Sequence, residues 1–211
     1  GVVCSIDWQL VGAHRLHERT ERMSVEQALD GLAERAATTR HVELFWYPAR
    51  DRVDLKTLVP TEAACDPLPD RPWERIDESF RVLPSVREQR FVEMEYAVPE
   101  RDGVDLFLAL RARIRTRHPD LAWPVEVRFV AADDAWLSPA HGRATVTLSV
   151  HQDARLPFVA LFADLEPLLR EPVGRPHWGK WHQLGARDLA PRYPRFEDFA
   201  RRRAQLDPDG R

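Results

Sequence analysis

The sequence predicts an α+β domain with a mainly antiparallel sheet and helices packed on one face. Two observations carry this prediction. Strand-like segments often follow one another directly and are joined by turns, which favours antiparallel pairing. The 211 residues are 44% hydrophobic and 31% charged, which indicates a globular chain long enough for one large domain or two small ones.

The N-terminal part begins with a predicted strand and a predicted helix. Residues 2–10 are strand-like, and the extended character continues toward Glu21. Ser24 opens a helix, because Gln27 stands three residues further on and completes a capping box. Apolar residues then recur at helical spacing to about Thr38, so one helix is expected there.

A hairpin and a long connection follow. Residues 41–47 and 53–58 are two strand-like runs, and a turn at 48–52 joins them into a hairpin. Residues 60–84 contain five prolines, which indicates a long connection, with a short helix expected around residues 75–80.

The second half of the chain again has the order strand, helix, strand, strand. Residues 89–98 form a strand in which alternate side chains share a face, so Phe91, Glu93, Glu95 and Ala97 point the same way. The other predicted elements are a helix at 102–117, strands around 126–128 and at 144–151, and helices at 157–169 and 194–205.

One strand carries an acid and a fixed cation side by side. Glu126 and Arg128 are two residues apart and share a face, whereas Val125, Val127 and Phe129 share the other face and are typical of a core. Such a strand can build a polar site on a rigid platform. The alternative from spacing alone is an ion pair on a solvated sheet face, which contributes little to stability.

A second concentration of polar residues lies at 174–182, where glycine and proline indicate a loop. His177, Lys180 and His182 are candidates there for acid–base chemistry or anion contacts. Each histidine can equally be a hydrogen-bonded structural residue. The spacing matches no HExxH or similar motif, so no metal ligands are predicted.

Two further polar features have alternative explanations. Asp133 and Asp134 could share a proton or bind a cation, but residues of this type also organise turns, and the turn is favoured. His151 ends a strand, where a neutral imidazole could accept a proton from a substrate hydroxyl or could satisfy a backbone group.

Charge and cysteine content exclude several classes of function. The net charge is −3 and no basic block dominates, which argues against nucleic acid as a partner. The two cysteines match no metal or redox spacing, which favours a reducing, cytoplasmic location. The sequence also contains no glycine-rich nucleotide-binding motif and no GxSxG.

The chain resembles the sugar-lactone oxidase family, which includes L-gulono-1,4-lactone oxidases and dehydrogenases, D-arabinono-1,4-lactone oxidases and alditol oxidases of the vanillyl-alcohol-oxidase type. The resemblance covers nearly the whole chain and rests on many motifs in the same order. The two most distinctive are Val125-Glu-Val-Arg128 and Gly174-Arg-Pro-His-Trp-Gly-Lys180. The others lie at residues 43–48, 51–53, 95–96, 98–99, 133–134, 137–139, 150–152, 193–194, 196, 199 and 206–208.

The resemblance implies a domain organisation and a cofactor. Members of the family have an N-terminal domain that binds FAD and a C-terminal domain that caps the flavin and holds the substrate. Residues 1–10 would then be the last strand of a missing FAD-binding domain, and residues 11–211 would be the substrate-binding cap domain. The fragment would be inactive, or nearly so, without the FAD domain.

The resemblance also implies roles for individual residues. Glu126, Arg128 and Lys180 would be catalytic, with Arg128 and Lys180 acting as the cations that contact the cofactor and stabilise the reduced flavin. Ser149, His151, His177 and His182 would bind substrate. The substrate would be a sugar lactone or a polyol, and the electron acceptor O2 or a redox protein, with peripheral membrane association as a further expectation.

Several alternatives stay open at this point. Alditol oxidases have a motif resembling His-x-Thr at the position where this chain has Ser149-Val150-His151. This difference favours a lactone over an open-chain polyol as substrate. The general base is His151, His182 or solvent. The chain could also be a stand-alone module that binds a small ligand or a protein, or a hydrolase or metal enzyme that uses its histidines.

Overall fold

The computed structural model describes residues 5–66, 72–84, 88–171 and 173–210. The strands are β1 (Arg15–Ser24), β2 (His41–Tyr47), β3 (Arg52–Thr61), β4 (Glu74–Glu78), β5 (Phe91–Pro99), β6 (Val125–Val130), β7 (Thr145–Asp153) and β8 (Arg175–Pro176). The helices are α1 (Val25–Leu29), α2 (Leu32–Thr38), α3 (Ser79–Val82), α4 (Gly103–Arg117), α5 (Val159–Arg170), α6 (Ala186–Leu189) and α7 (Phe196–Leu206).

The eight strands form one sheet in the order β4-β1-β3-β2-β6-β7-β5-β8. Each pair of neighbouring strands is antiparallel. The first four strands of the chain therefore form one half of the sheet and the last four form the other. The halves meet where β2 pairs with β6, with Phe45 opposite Glu126. The predicted α+β fold with an antiparallel sheet is confirmed.

The core lies between one sheet face and the helices α1, α4 and α5. Trp46 of β2 is fully buried and meets Phe107 of α4 edge to face, with ring centroids 6.0 Å apart. Tyr96 of β5 is also fully buried and donates a 2.6 Å hydrogen bond from its hydroxyl to Glu166 of α5. Burial of these large aromatic side chains fixes which face of each strand points inward, because strand side chains alternate.

The opposite sheet face is polar, and the short helix α3 covers part of it. Val82 of α3 packs on Leu16 of β1 and Leu58 of β3 in a second, smaller apolar cluster. Because the main core already occupies the other face, the alternate side chains of β5, β6 and β7 are left to form a polar surface beside this cluster.

The N-terminal predictions are partly wrong. Residues 5–14 form no strand, although residues 2–10 were expected to; residues 1–4 lie outside the described part. The strand begins at Arg15, so only the predicted extension toward Glu21 is confirmed. The Ser24–Gln27 capping box is present, but the single helix expected to Thr38 is two helices, because Gly31 takes a left-handed conformation with φ of 66°.

The long connection also differs from the prediction. Residues 74–78 are strand β4, paired with β1, where a helix at 75–80 was expected; helical structure begins only at Ser79. Arg75 lies opposite Glu18 in this pairing. Side-chain pairing with the neighbouring strand therefore outweighs local helical preference. The β2–β3 hairpin and the elements β5, α4, β6, β7, α5 and α7 match their predictions to within a few residues, whereas the short elements β8 and α6 were not predicted.

Within the described ranges, no helix combines the length and the apolar character that a membrane span requires.

Candidate active site

The polar residues of the second half form a row across three strands. Glu126 of β6 lies opposite Ser149 of β7, and Ser149 in turn lies opposite Glu95 of β5. In the next row, Arg128 lies between Glu43 of β2 and Thr147 of β7. Residues far apart in the chain thus share one rigid surface.

Glu95 is the most heavily hydrogen-bonded carboxylate of this surface. One oxygen, Oε2, accepts hydrogen bonds from Arg128 Nη2 at 2.6 Å, Ser149 Oγ at 2.6 Å and Lys180 Nζ at 2.7 Å. Burial would raise the pKa of Glu95, but these hydrogen bonds and the charges of Arg128 and Lys180 outweigh it and lower the pKa. Glu95 is therefore a fixed anion that positions its three donors.

Lys180 reaches the surface because its loop is hydrogen-bonded to the edge of β5. The amide of His177 donates to the carbonyl of Glu95 at 3.0 Å, and that of Trp181 donates to the carbonyl of Glu93 at 2.9 Å. The ammonium group then bridges Glu95 and Glu93, with 2.6 Å between Nζ and Oε1 of Glu93. Burial opposes ionisation of Glu93, but the neighbouring side chains of His151 and Lys180 outweigh it and lower its pKa to about 2.

Glu126 differs from both of these carboxylates. It is 7% exposed, and it accepts no hydrogen bond from any residue that the structure describes. The nearest cation atom is Nε of Arg128, 3.5 Å from Oε1, and this buried Nε has no hydrogen-bond partner. Burial raises the pKa of Glu126, and the charge of Arg128 only partly opposes it. Glu126 thus retains hydrogen-bonding capacity for a ligand.

His151 presents one nitrogen to the same place. Its Nδ1 lies 2.9 Å from the carbonyl oxygen of Pro124, and since a carbonyl can only accept, Nδ1 carries the hydrogen. The Nε2 atom therefore points toward the carboxylates, 3.4 Å from Glu93 and 3.9 Å from Glu126. The ring of Phe91 packs edge-on against the imidazole, with centroids 5.4 Å apart.

These side chains border an open cleft of about 300 Å³, the lower end of the size range for small-molecule sites. The cleft can offer a small polyhydroxylated molecule both hydrogen-bond acceptors and donors, beside apolar surface. Its lining residues are Glu43, Phe45, Lys56, Leu83, Phe91, Glu93, Glu126, Arg128, His151 and Lys180.

The residues predicted from sequence are only partly brought together. Glu126, Arg128, His151 and Lys180 converge on the cleft. Ser149 is fully buried and donates its hydroxyl hydrogen bond to Glu95, so substrate contact by Ser149 stays a prediction.

The other two histidines make local contacts instead. Nδ1 of His177 accepts the amide of Gly179 at 3.1 Å, and Nδ1 of His182 accepts the amide of Leu184 at 3.2 Å. Neither His177 nor His182 lines the cleft, so substrate contact by these two residues stays a prediction. Asp133 organises a turn, because its two oxygens accept the amide of Ala135 and the hydroxyl of Ser138.

Sequence reasoning missed four charged residues of the surface. Glu93 and Glu95 could have been found, because the predicted face of β5 already placed them side by side. Glu43 and Lys56 are opposite each other on the β2–β3 hairpin, with 3.5 Å between their charged atoms. Nothing in the sequence indicates that this hairpin lies beside β6, because the pairing joins the two halves of the chain.

The class of protein is an α+β domain whose antiparallel sheet carries a carboxylate- and cation-lined cleft on its open face. Residues 72–211 match the family model described as D-arabinono-1,4-lactone oxidase. The chain belongs to this family of oxidoreductases, and the predicted resemblance is confirmed.

Individual relatives agree with this assignment. The chain is 31% identical to L-gulono-1,4-lactone dehydrogenase of Mycobacterium tuberculosis, over 99% of this chain and 58% of the relative. It is 35% identical to alditol oxidase of a Streptomyces species, over 72% of this chain and 40% of the relative. The matched part of the chain thus spans 58% of the length of the dehydrogenase and 40% of the length of the alditol oxidase.

Solved structures show the same fold. Cholesterol oxidase from Brevibacterium sterolicum superimposes with a TM-score of 0.64 at 15% sequence identity, covering 80% of this chain and 49% of that one. At this identity the likeness concerns the fold alone.

Proposed function

We propose that this chain is the substrate-binding part of an FAD-dependent oxidoreductase that oxidises a sugar 1,4-lactone or an alditol at a C–H bond adjacent to a hydroxyl. The observation that carries the proposal is Glu126, a nine-tenths buried carboxylate that borders the cleft without a hydrogen bond from any described residue. A buried acceptor of this kind stabilises a ligand hydroxyl strongly, because otherwise its desolvation is uncompensated. The names of the relatives supply the lactone and alditol classes.

The residues fit one wall of a flavin site. Arg128 borders the cleft and its side chain is 37% exposed, so its guanidinium group can face a neighbouring molecule. Bound FAD would supply the hydride acceptor, and a fixed cation beside it stabilises developing negative charge. Lys180 already donates to two carboxylates, so its first role is to hold Glu93 and Glu95 in place, with a contact to FAD as a further proposal.

We assign separate roles to the groups that would contact substrate. The carboxylate of Glu126 accepts a hydrogen bond from a substrate hydroxyl and so sets which carbon faces the flavin. Nε2 of His151 accepts the proton of the hydroxyl that is oxidised, because its Nδ1 is held by the carbonyl of Pro124 and stays protonated. Lys180 and Arg128 keep the acidic side chains fixed, so little reorganisation is needed during the reaction.

The FAD-binding part would precede this chain, with residues 1–10 as its last strand and residues 11–211 as the cap. Ile6, Trp8 and Leu10 support this proposal, because they occupy alternate positions in the N-terminal segment and are 59%, 79% and 88% exposed. Apolar side chains at strand spacing favour packing against further protein. Residues 1–211 alone should then bind no stoichiometric flavin, and a yellow protein that bleaches with lactone would contradict this division.

Substitution of Glu126 tests the proposed function. In the polypeptide that includes the FAD-binding part, anaerobic flavin reduction by L-gulono-1,4-lactone and by an alditol is compared between wild type and Glu126→Gln. We expect the second-order rate of reduction to fall by about 10²-fold or more, within the range that polar-group recognition reaches. Glu18→Gln, on β1 of the same sheet, is the matched control. Equal rates for wild type and Glu126→Gln would refute the substrate role of the cleft.

A further inference from the structure

We propose that His151, Glu93 and Glu126 form a binding site for a first-row transition-metal dication, with Zn²⁺ as the best fit. One ligand atom from each of the three side chains lies within 4.8 Å of the others. Tetrahedral zinc with bonds of about 2.0–2.2 Å places its ligand atoms about 3.4 Å apart. Nε2 of His151 is 3.4 Å from Glu93 and 3.9 Å from Glu126, so the imidazole is within about half an ångström of the required spacing to each carboxylate. The two carboxylates, whose ligand atoms lie within 4.8 Å of each other, must also approach to about that spacing.

The imidazole is prepared as a ligand. Nδ1 of His151 is held by the carbonyl of Pro124, which is the arrangement that orients metal-binding histidines and leaves Nε2 for the metal. The ring is 2% exposed and lies between Phe91 and Trp123, with ring centroids 5.4 Å and 6.3 Å away. Its orientation is therefore fixed before any metal arrives.

Glu126 supplies a second, independent observation. The side chain is nine-tenths buried, accepts no hydrogen bond from a described residue and borders the cleft. Around it, the carboxylates of Glu93, Glu95 and Glu126 outnumber the fixed cations of Arg128 and Lys180. A cation entering the cleft thus meets a carboxylate that Arg128 approaches to 3.5 Å without a hydrogen bond, and a local excess of negative charge.

The ligand set selects among metals. One imidazole and two carboxylates suit Zn²⁺ and its neighbours in the first transition row, whereas Ca²⁺ takes six to eight oxygen ligands and Mg²⁺ an octahedral set that retains water. Lys180 shares Oε1 of Glu93, so a metal competes with the ammonium group for this ligand. The site should therefore bind Zn²⁺ reversibly.

The consequence for catalysis rests on the proposed function. Zn²⁺ and a sugar hydroxyl would both need the carboxylate of Glu126, and Zn²⁺ would also occupy Nε2 of His151. Zn²⁺ should thus inhibit competitively with substrate, raising the KM without changing kcat.

Metal titration of the purified protein is the direct test and needs no turnover. We expect one Zn²⁺ per chain from this site by calorimetry, and Co²⁺ in its place should give the visible absorption of a tetrahedral complex. His151→Ala and the isosteric Glu126→Gln should each weaken binding at this site about tenfold or more, since ligand groups tune metal affinity at least as strongly as their supporting partners. Glu197→Gln, on the exposed helix α7, is the control and should leave binding unchanged.

The outcomes separate this inference from the proposed function. Circular dichroism verifies that each variant is folded. The metal site is overturned if His151→Ala and Glu126→Gln bind Zn²⁺ with the same affinity as the wild type. Binding of Mg²⁺ as tight as that of Zn²⁺ overturns the ligand assignment. The two substitutions could weaken Zn²⁺ binding in a protein whose flavin is reduced by neither lactone nor alditol. That result would uphold the metal site and reject only the proposed function.

Discussion

Arg128 donates a 2.6 Å hydrogen bond from Nη2 to Oε2 of Glu95, across the intervening strand β7 and 33 positions along the chain. The same arginine lies 3.5 Å from Glu126. It therefore links a carboxylate held by three donors with one that is free to bind a ligand. This link determines what we expect from substitutions at the cleft.

Loss of Arg128 should slow flavin reduction more than it weakens substrate binding. Under the proposed function, Arg128→Ala in the polypeptide that includes the FAD-binding part removes a fixed cation beside developing negative charge, which typically costs ~10²–10³ in rate. Stopped-flow reduction over a range of substrate concentrations gives the limiting rate and the apparent Kd separately. Arg22→Ala, which removes an exposed surface ion pair with Asp54, is the control. An unchanged limiting rate in Arg128→Ala would remove Arg128 from the mechanism.

Glu126→Gln should stabilise the fold at neutral pH while it weakens recognition of the substrate. Burial raises the pKa of Glu126 above its ordinary value of 4.5. A carboxyl with a raised pKa contributes its full stability below 4.5 and loses it as the pH rises through the folded-state pKa. Glutamine carries no charge, so the variant should gain about 1 kcal/mol near neutral pH and nothing in acid. Urea unfolding at neutral and at acid pH gives the free energy of unfolding of both proteins. A variant that is less stable than the wild type at neutral pH, or whose gain is the same at both pH values, would contradict the prediction.

Glu93→Gln should change stability with the opposite pH dependence. The pKa of Glu93 is lowered to about 2 from 4.5, so its charge stabilises the fold above 4.5 and this contribution is lost as the pH falls toward 2. This lowering of the pKa corresponds to a contribution of about 3 kcal/mol at most to the free energy of unfolding. The wild type should lose stability steeply across this window, and Glu93→Gln should lose less. Glu197→Gln, on the exposed helix α7, should follow the wild-type curve; equal slopes for all three proteins would exclude the effect.

The backbone around the Lys180 loop should not tolerate a side chain at Gly174. A Cβ atom there would lie 1.9 Å from the carbonyl oxygen of Leu169 and 3.1 Å from the ring of Tyr96. Relief requires a backbone shift, so Gly174→Ala should destabilise the fold by about 3 kcal/mol.

Gly185→Ala provides the matched control, because the nearest atom to its Cβ is 3.8 Å away. Thermal unfolding should show a lower Tm for Gly174→Ala and little change for Gly185→Ala. Similar Tm values for the two variants would show that the loop adjusts without cost.

Local sequence patterns predict the strands of the second half well. Val125 and Val127 are buried and Glu126 and Arg128 face the cleft, as their alternation indicates. The same rule places Glu93 and Glu95 together. Such alternation suffices because one face of each strand meets the core and the other does not.

What local patterns cannot supply is the pairing between distant segments. Residues 74–78 become a strand because β1 offers an edge to pair with, and no property of the segment itself requires it. Lys180 reaches Glu93 because its loop continues the edge of β5. His177 and His182 show that a suggestive sequence position need not reach the cleft. Both were candidates from the sequence, but in the structure their side chains hydrogen-bond to nearby backbone amides.

The meeting of β2 with β6 has a kinetic consequence. Lys180 and Glu93 are 87 positions apart, and Glu43 meets Arg128 only once the two halves of the sheet have joined. Long loops must close before such contacts stabilise anything, so a topology of this kind folds slowly compared with helical proteins. Glu93 and Glu95 acquire the cation of Lys180 only after the chain is complete to that residue and its loop has closed onto β5. A chain that is still incomplete at this point therefore leaves two neighbouring carboxylates that repel each other until the loop closes.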